Sequence, residues 1–141
     1  EGQSVMAQLI EIFSRHQCCV VAVEEVDPAD AHKYGVIAGE PLGGHSFRAT
    51  DMVEKPPQGE APSNLAIVGR YILTPDIFGI LRQTPAGRED EVQITDALRT
   101  LAAQGRVIAH RFQGRRFDCG SVPGFVEATN FVYEHYYNAI A

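Results

Sequence analysis

Between Cys18 and Val26 the chain runs through Cys19, Val20, Val21, Ala22 and Val23 without a polar residue until Glu24. Side chains alternate between the faces of a strand, so a strand apolar at every position has to be covered on both sides. Just before it, Val5, Leu9, Ile12 and Phe13, with Met6 and Ile10 beside them, recur at i, i+3, i+4 spacing behind Ser4. That is the rhythm of an amphipathic helix with its N-cap. A helix leading into a strand buried on both faces is α/β grammar, and few other architectures accept it.

The rest of the chain fits the same reading. Asp27-Pro28 with Ala29 to His32 predicts a turn or a single helical turn, and Tyr34 to Ala38 a short strand. Gly43-Gly44 marks a hairpin tip, with Phe47 to Val53 returning as the next strand. Pro56-Pro57 ends that strand, Gly59 and Pro62 keep the stretch to Ser63 a loop, and Leu65 to Leu73 is the strongest strand pattern. Pro75 opens a short helix through Leu81 with Thr74 as its cap. After a turn at Pro85 to Gly87, Ile94, Leu98, Leu101 and Ala102 define a helix that Gly105 stops. Val107 to Phe112 and Arg116-Phe117 read as two short strands around Gly114. The last helix opens near Ser121, carries Pro123 in its first turn, and lines up Phe125, Val126, Thr129, Val132 and Tyr136. With no internal repeat or linker, residues 1–141 form one unit of ordinary domain length.

Charge and cysteine usage narrow the function. Twelve Lys and Arg against eighteen Asp and Glu leave a formal charge of −6, a field that repels phosphate backbones, so nucleic acid is not the expected partner. One or two placed cations still suffice for a small phosphorylated ligand. Cys18, Cys19 and Cys119 make no disulfide framework, and Cys119 reads as a small buried residue. No apolar run approaches the roughly 18 residues of a membrane span, so no membrane partner and a cytoplasmic location are expected. The chain begins at Glu1 without Met and enters a helical pattern almost at once, which points to a piece of something longer.

Familiar catalytic motifs are missing: there is no CxxC, HExxH, GxSxG, GxGxxG or GxxxxGK[ST]. The histidines His16, His32, His45, His110 and His135 have no metal-binding i, i+4 pair. The segment Val53-Glu54-Lys55-Pro56-Pro57 sets an acid beside a base at a strand end, where open α/β sheets bind ligands. A carboxylate accepts sugar hydroxyls and a lysine offers a point charge to phosphate. Taken alone, Glu-Lys-Pro is also a common surface tripeptide.

The order of landmarks is more specific. Ala22-Val23-Glu24-Glu25-Val26, Tyr34-Gly35-Val36-Ile37, Val53-Glu54-Lys55-Pro56, Ala61 to Tyr71, Glu91 to Leu98 and Asp118-Cys119-Gly120 together closely resemble the bacterial UTP–glucose-1-phosphate uridylyltransferases over nearly the whole chain. The resemblance implies the C-terminal half of that nucleotidyltransferase fold, the outer part of a mixed sheet with flanking helices. In the family, the glycine-rich nucleotide loop, the base-recognising residues and the first metal-binding Asp belong to an N-terminal half that this sequence lacks. The implied reaction joins UTP and glucose 1-phosphate into UDP-glucose and pyrophosphate with Mg²⁺, in a homo-oligomer, and this piece alone is expected to be inactive. A sibling enzyme using dTTP or another sugar 1-phosphate, and a non-catalytic sugar-phosphate-binding module, are the alternatives.

By the same resemblance, Glu54 corresponds to the carboxylate that binds glucose hydroxyls and Lys55 to the lysine on the sugar phosphate. Gly35 resembles the glycine whose backbone lies against the sugar, and Gly69 looks similar in purpose, although for Gly69 a bulge or close strand packing accounts for a strand glycine about as well. Asp118 corresponds to the second carboxylate on the catalytic Mg²⁺, while its bland reading is a turn carboxylate ahead of the last helix. Lys55 and Asp118 are thus the catalytic candidates. Gln93, Thr95 and Asp96 read as capping residues outside the site. Arg111, Arg115 and Arg116 form a basic cluster without an assigned role, open to phosphate, an acidic patch or a neighbouring subunit.

Overall fold

The computed structural model describes residues 2–87 and 90–137. Helix α1 (Val5–His16) starts where Ser4 accepts a hydrogen bond from the Ala7 N–H and ends where Gln17 turns left-handed and donates its N–H to Phe13 O. Its apolar stripe, with Leu9 fully buried, packs on Val20 and Ala22 of strand β1 (Cys19–Glu25), joined by Val68, Ile72 and Phe112. The opposite face of β1, Cys19, Val21 and Val23, meets Ala97, Leu98, Leu101 and Ala102 of helix α3 (Ile94–Ala102). Both faces of the continuous apolar run are therefore covered. Each such fully buried aliphatic side chain contributes about 1.5–3 kcal/mol relative to exposure.

Four further strands surround β1: β2 (Gly35–Gly43), β3 (Ser46–Glu54), β4 (Leu65–Ile72) and β5 (Val107–Arg111). The order β1-β4-β2-β3-β5 closes on itself, with β5 parallel to β1 and every other pairing antiparallel. The sheet is mixed, as the resemblance implies, and its closure into a ring comes from β3 reaching β5. The register sets Glu24 of β1 beside Ala66 of β4, Ala66 beside Val36 of β2, and Gly35 of β2 beside Glu54 of β3, so the end of β1, the starts of β4 and β2 and the end of β3 are neighbours.

Several local expectations change. β2 extends to Gly43 rather than stopping at Ala38, since two register shifts against β3 absorb its Gly and Pro residues. Helix α2 (Ile77–Leu81) starts two residues past Pro75. Thr74 is not its side-chain cap: the Thr74 hydroxyl and N–H meet the Cys19 sulfur at 3.2 and 3.3 Å. Arg116-Phe117 is no strand, and residues 112–120 follow an irregular path to helix α4 (Val122–Val132), which Ser121 caps through the Gly124 N–H. The apolar stripe of α4 stays exposed, as do the tyrosines of the π-turn at Tyr133–Tyr137. Cys119 is exposed rather than buried, because it sits in that irregular path, and all three cysteines are free thiols. Among the described residues no helix is long and apolar enough to cross a membrane.

Candidate functional site

Gly35 opens β2 directly opposite Glu54, the last residue of β3. A Cβ on Gly35 would stand 2.7 Å from Glu54 Oε2, 3.0 Å from Ile67 Cδ1 and 3.2 Å from Thr95 Oγ1. The missing side chain is what lets the carboxylate lie across the strand. Thr95, 3% exposed in the first turn of α3, donates its hydroxyl to Glu54 Oε2 at 2.6 Å, a charge-assisted bond that sets the carboxylate's direction. Tyr71 of β4 also stands near: burial and then the negative charge of Glu54 push its phenol above its ordinary pKa, so it stays protonated at neutral pH.

Lys55 follows at the rim, exposed and left-handed with φ 43°. An L-residue adopts that conformation at a cost of about 1–2 kcal/mol, offset here in part by the hydrogen bond from its N–H to Tyr34 O at 3.0 Å. The chain turns away at this point, which carries the lysine to the end of the sheet rather than along it.

Asp118 belongs to another segment, the irregular path ahead of α4. It is exposed, and its Oδ1 accepts the Gly120 N–H at 3.0 Å while its carbonyl accepts from the Ser121 hydroxyl at 3.3 Å. The turn-carboxylate reading is therefore correct for one oxygen. The residue also borders a cavity of about 330 Å³ with Val68, Arg70, Arg115 and Arg116. Gly124 in the first turn of α4 packs so tightly that a Cβ would run into the Asp118 carbonyl. Gly124→Ala is expected to destabilise the intact protein by about 1–3 kcal/mol through this overlap, read as a lower denaturant midpoint; an unchanged midpoint would refute the packing.

Gly69 has φ +75°, a Cβ added to it would meet no heavy atom within 4 Å, and it sits near the shift in β1–β4 register between Val21 and Val23. The bulge alone accounts for a glycine there, and its backbone faces open space. The arginine cluster is not open to phosphate as a unit: Arg111 pairs with Glu25, Arg115 with Glu127 and Arg116 with Glu24. Among the described residues no three His, Cys, Asp or Glu side chains gather as a metal cage.

Thr95 is the residue that sequence reasoning placed outside the site. Its signal was its place in the Gln93-Ile94-Thr95-Asp96 motif, but a hydroxyl at a helix start has an ordinary capping explanation. Gln93, not Thr95, occupies the N-cap, without a side-chain bond. Only the fold shows that the Thr95 hydroxyl serves a carboxylate 41 residues away.

A glycine, a carboxylate and a lysine thus meet at one end of a mixed sheet, where α/β folds hold their ligands. The chain belongs to the nucleotidyl transferase family, whose model matches residues 3–135. It is 54% identical to a UTP–glucose-1-phosphate uridylyltransferase of Pseudomonas aeruginosa over 97% of this chain and 49% of that protein. A second uridylyltransferase, from Staphylococcus saprophyticus, is 46% identical over 86% of this chain and 42% of its own length. In three dimensions the chain matches a UDP-glucose pyrophosphorylase solved with UDP-glucose, with TM-score 0.90 and 53% identity over 95% of this chain and 51% of that one. A UTP-bound enzyme from Acinetobacter baumannii matches with TM-score 0.79 and 38% identity over 96% of this chain and 48% of that one. The chain thus spans about half the length of the relatives it matches.

Proposed function

We propose that this chain is the sugar-phosphate-binding, C-terminal part of a UTP–glucose-1-phosphate uridylyltransferase, with the nucleotide loop in the part of the relatives it does not span. The observation that carries the reading is the Gly35–Glu54–Thr95 cradle, with Lys55 beside it, in a fold similar to an enzyme solved with UDP-glucose. A phosphate oxygen of glucose 1-phosphate attacks the α-phosphorus of UTP, forming one O–P bond as the bond to the pyrophosphate leaving group breaks. That nucleophile is already an anion at neutral pH, so alignment and charge neutralisation replace a general base.

Within this chain, Glu54 accepts glucose hydroxyls, with Thr95 holding its other oxygen, and Gly35 leaves the carboxylate room to lie there. Lys55 neutralises the sugar phosphate, and the exposed Gly69 backbone lines the sugar's approach. Nucleotidyl transferases work with a divalent metal, and Mg²⁺ is the proposed one. It takes one or two carboxylates plus substrate phosphates, and the exposed Asp118, with one oxygen committed to Gly120, fits as one of them. The metal, when bound, neutralises phosphate charge. One carboxylate holds Mg²⁺ poorly, which supports an inactive isolated chain. A cytoplasmic location and a homo-oligomer joined partly through the exposed α4 face complete the proposal.

Pyrophosphate release by the intact parent protein with glucose 1-phosphate and Mg²⁺, compared across UTP, dTTP, ATP, CTP and GTP, tests the reading. Release with UTP by the parent and none by this chain is expected. Preference for dTTP would move the protein to a sibling activity, and no release with any nucleotide would leave a non-catalytic module. Thr95→Val, which keeps shape and removes the hydroxyl, is expected to raise the glucose 1-phosphate KM about tenfold, since a hydrogen bond to a charged group is worth about 1.5–3 kcal/mol. An unchanged KM would remove Glu54's orientation from the account.

A further inference from the structure

Arg116 differs from its two neighbours in the cluster. Its ion pair with Glu24 is the least exposed of the three, with side chains 28% and 26% accessible, and its Nε lies 2.5 Å from Glu24 Oε1. Its Nη2 donates to the Tyr34 hydroxyl at 3.5 Å, and the guanidinium carbon stands 5.6 Å from the Tyr34 ring centre, within cation–π range. Tyr34 in turn immediately precedes Gly35 and accepts the Lys55 N–H on its carbonyl. One tyrosine thus touches the lysine's backbone with one end and Arg116 with the other.

The irregular path from Phe112 to Gly120 lies outside the sheet, so strand pairing does not position Asp118. Gln113 ties the start of that path to Gln8 of α1, whereas the contacts of Arg115 and Phe117 reach α4 through Glu127 and Phe131. Arg116 ties the path to β1, which β4 and β5 hold on its two edges. One residue, Phe117, separates it from Asp118, and the two backbone steps reach at most about 7 Å.

We infer that Arg116 is a positioning residue, and that its bracket to Glu24 and Tyr34 fixes the Asp118 carboxylate relative to Lys55 and Glu54. The inference rests on the proposed reading of Asp118 as a metal ligand. Arginine suits the role because its planar fork serves Glu24 and Tyr34 at once while its face covers the ring; a lysine ammonium is a single point charge.

The test uses the intact parent with Arg116→Met, Arg116→Lys, Tyr34→Phe and, as a control, Asp118→Asn. Mn²⁺ binding in the presence of UTP is followed by electron paramagnetic resonance, beside kcat, the glucose 1-phosphate KM and the thermal midpoint. Arg116→Met is expected to weaken Mn²⁺ binding and lower kcat about tenfold, the lower end for partners outside the metal's own ligands. Arg116→Lys is expected not to restore either, and Tyr34→Phe to give a smaller loss of the same kind with the KM unchanged. Full Mn²⁺ binding in Arg116→Met, with only the thermal midpoint lowered or only the KM raised, would overturn the inference while leaving Asp118's role intact. If Asp118→Asn itself binds Mn²⁺ and turns over as the parent does, the reading of Asp118 falls and the positioning role falls with it.

Discussion

Asp118→Asn in the intact parent protein is expected to lower kcat by about 10²- to 10³-fold, the scale seen when one group aimed at developing charge is removed. Asparagine keeps the shape of the side chain and an oxygen able to accept the Gly120 N–H, so the turn ahead of α4 survives. What disappears is the negative charge. The loss should therefore appear in turnover at saturating substrates and in the Mg²⁺ concentration needed for half-maximal rate, with the denaturant midpoint close to that of the parent. A kcat equal to the parent's at every Mg²⁺ concentration would return Asp118 to a purely structural turn.

Lys55→Ala should act on the other substrate term. A hydrogen bond to a charged group contributes about 1.5–3 kcal/mol, which converts to about a 10- to 100-fold lower kcat/KM for glucose 1-phosphate. Alanine at this position bears the same left-handed backbone cost as lysine, so the change reports on the ammonium group rather than on relieved strain. Half-saturating UTP should hardly move. Equal losses for UTP and glucose 1-phosphate would assign Lys55 to the transferred phosphoryl group instead of the sugar phosphate.

The two variants also probe separate parts of the chain. Lys55 follows the end of β3 beside the Glu54 cradle, whereas Asp118 borders a cavity with Val68 and Arg70 and belongs to a path outside the sheet. The Tyr34–Arg116 contact joins them. Non-additive losses in Lys55→Ala combined with Arg116→Met would be the signature of that connection, whereas independent groups give additive effects.

How much of this was legible in the sequence depends on the range of the interaction involved. The start of α1 was readable because Ser4 and the i, i+4 apolar spacing act within a few residues, whereas its last turn to His16 lies beyond the apolar pattern that ends at Phe13. The span of α3 was readable for the same reason, from Ile94 to Ala102. Burial of β1 on both faces followed from its unbroken apolar run, since nothing but two covering layers stabilises such a strand. Glu54 and Lys55 stood out as a charged pair at a strand end, and the order of motifs along the chain carried the family resemblance.

Other features had no local trace. The full length of β2 depends on β3 holding its Gly39 and Pro41 in register, against the turn tendency of those residues. Arg116-Phe117 has strand-like composition but finds no strand to pair with. The apolar positions of α4 follow a helical stripe, yet the described residues supply no layer to cover them. Thr95 on Glu54, and Arg116 on Glu24 and Tyr34, join positions 41, 92 and 82 residues apart. Sequence alone determined the fold class, the serine caps of α1 and α4 and the acid–base pair, because propensity, capping and burial pattern are properties of neighbouring residues. Which hydroxyl orients Glu54, which carboxylate takes each arginine and how far Asp118 stands from Lys55 were decided only by the tertiary structure. Those contacts exist only once the ring of strands has closed and brought distant segments within hydrogen-bonding distance.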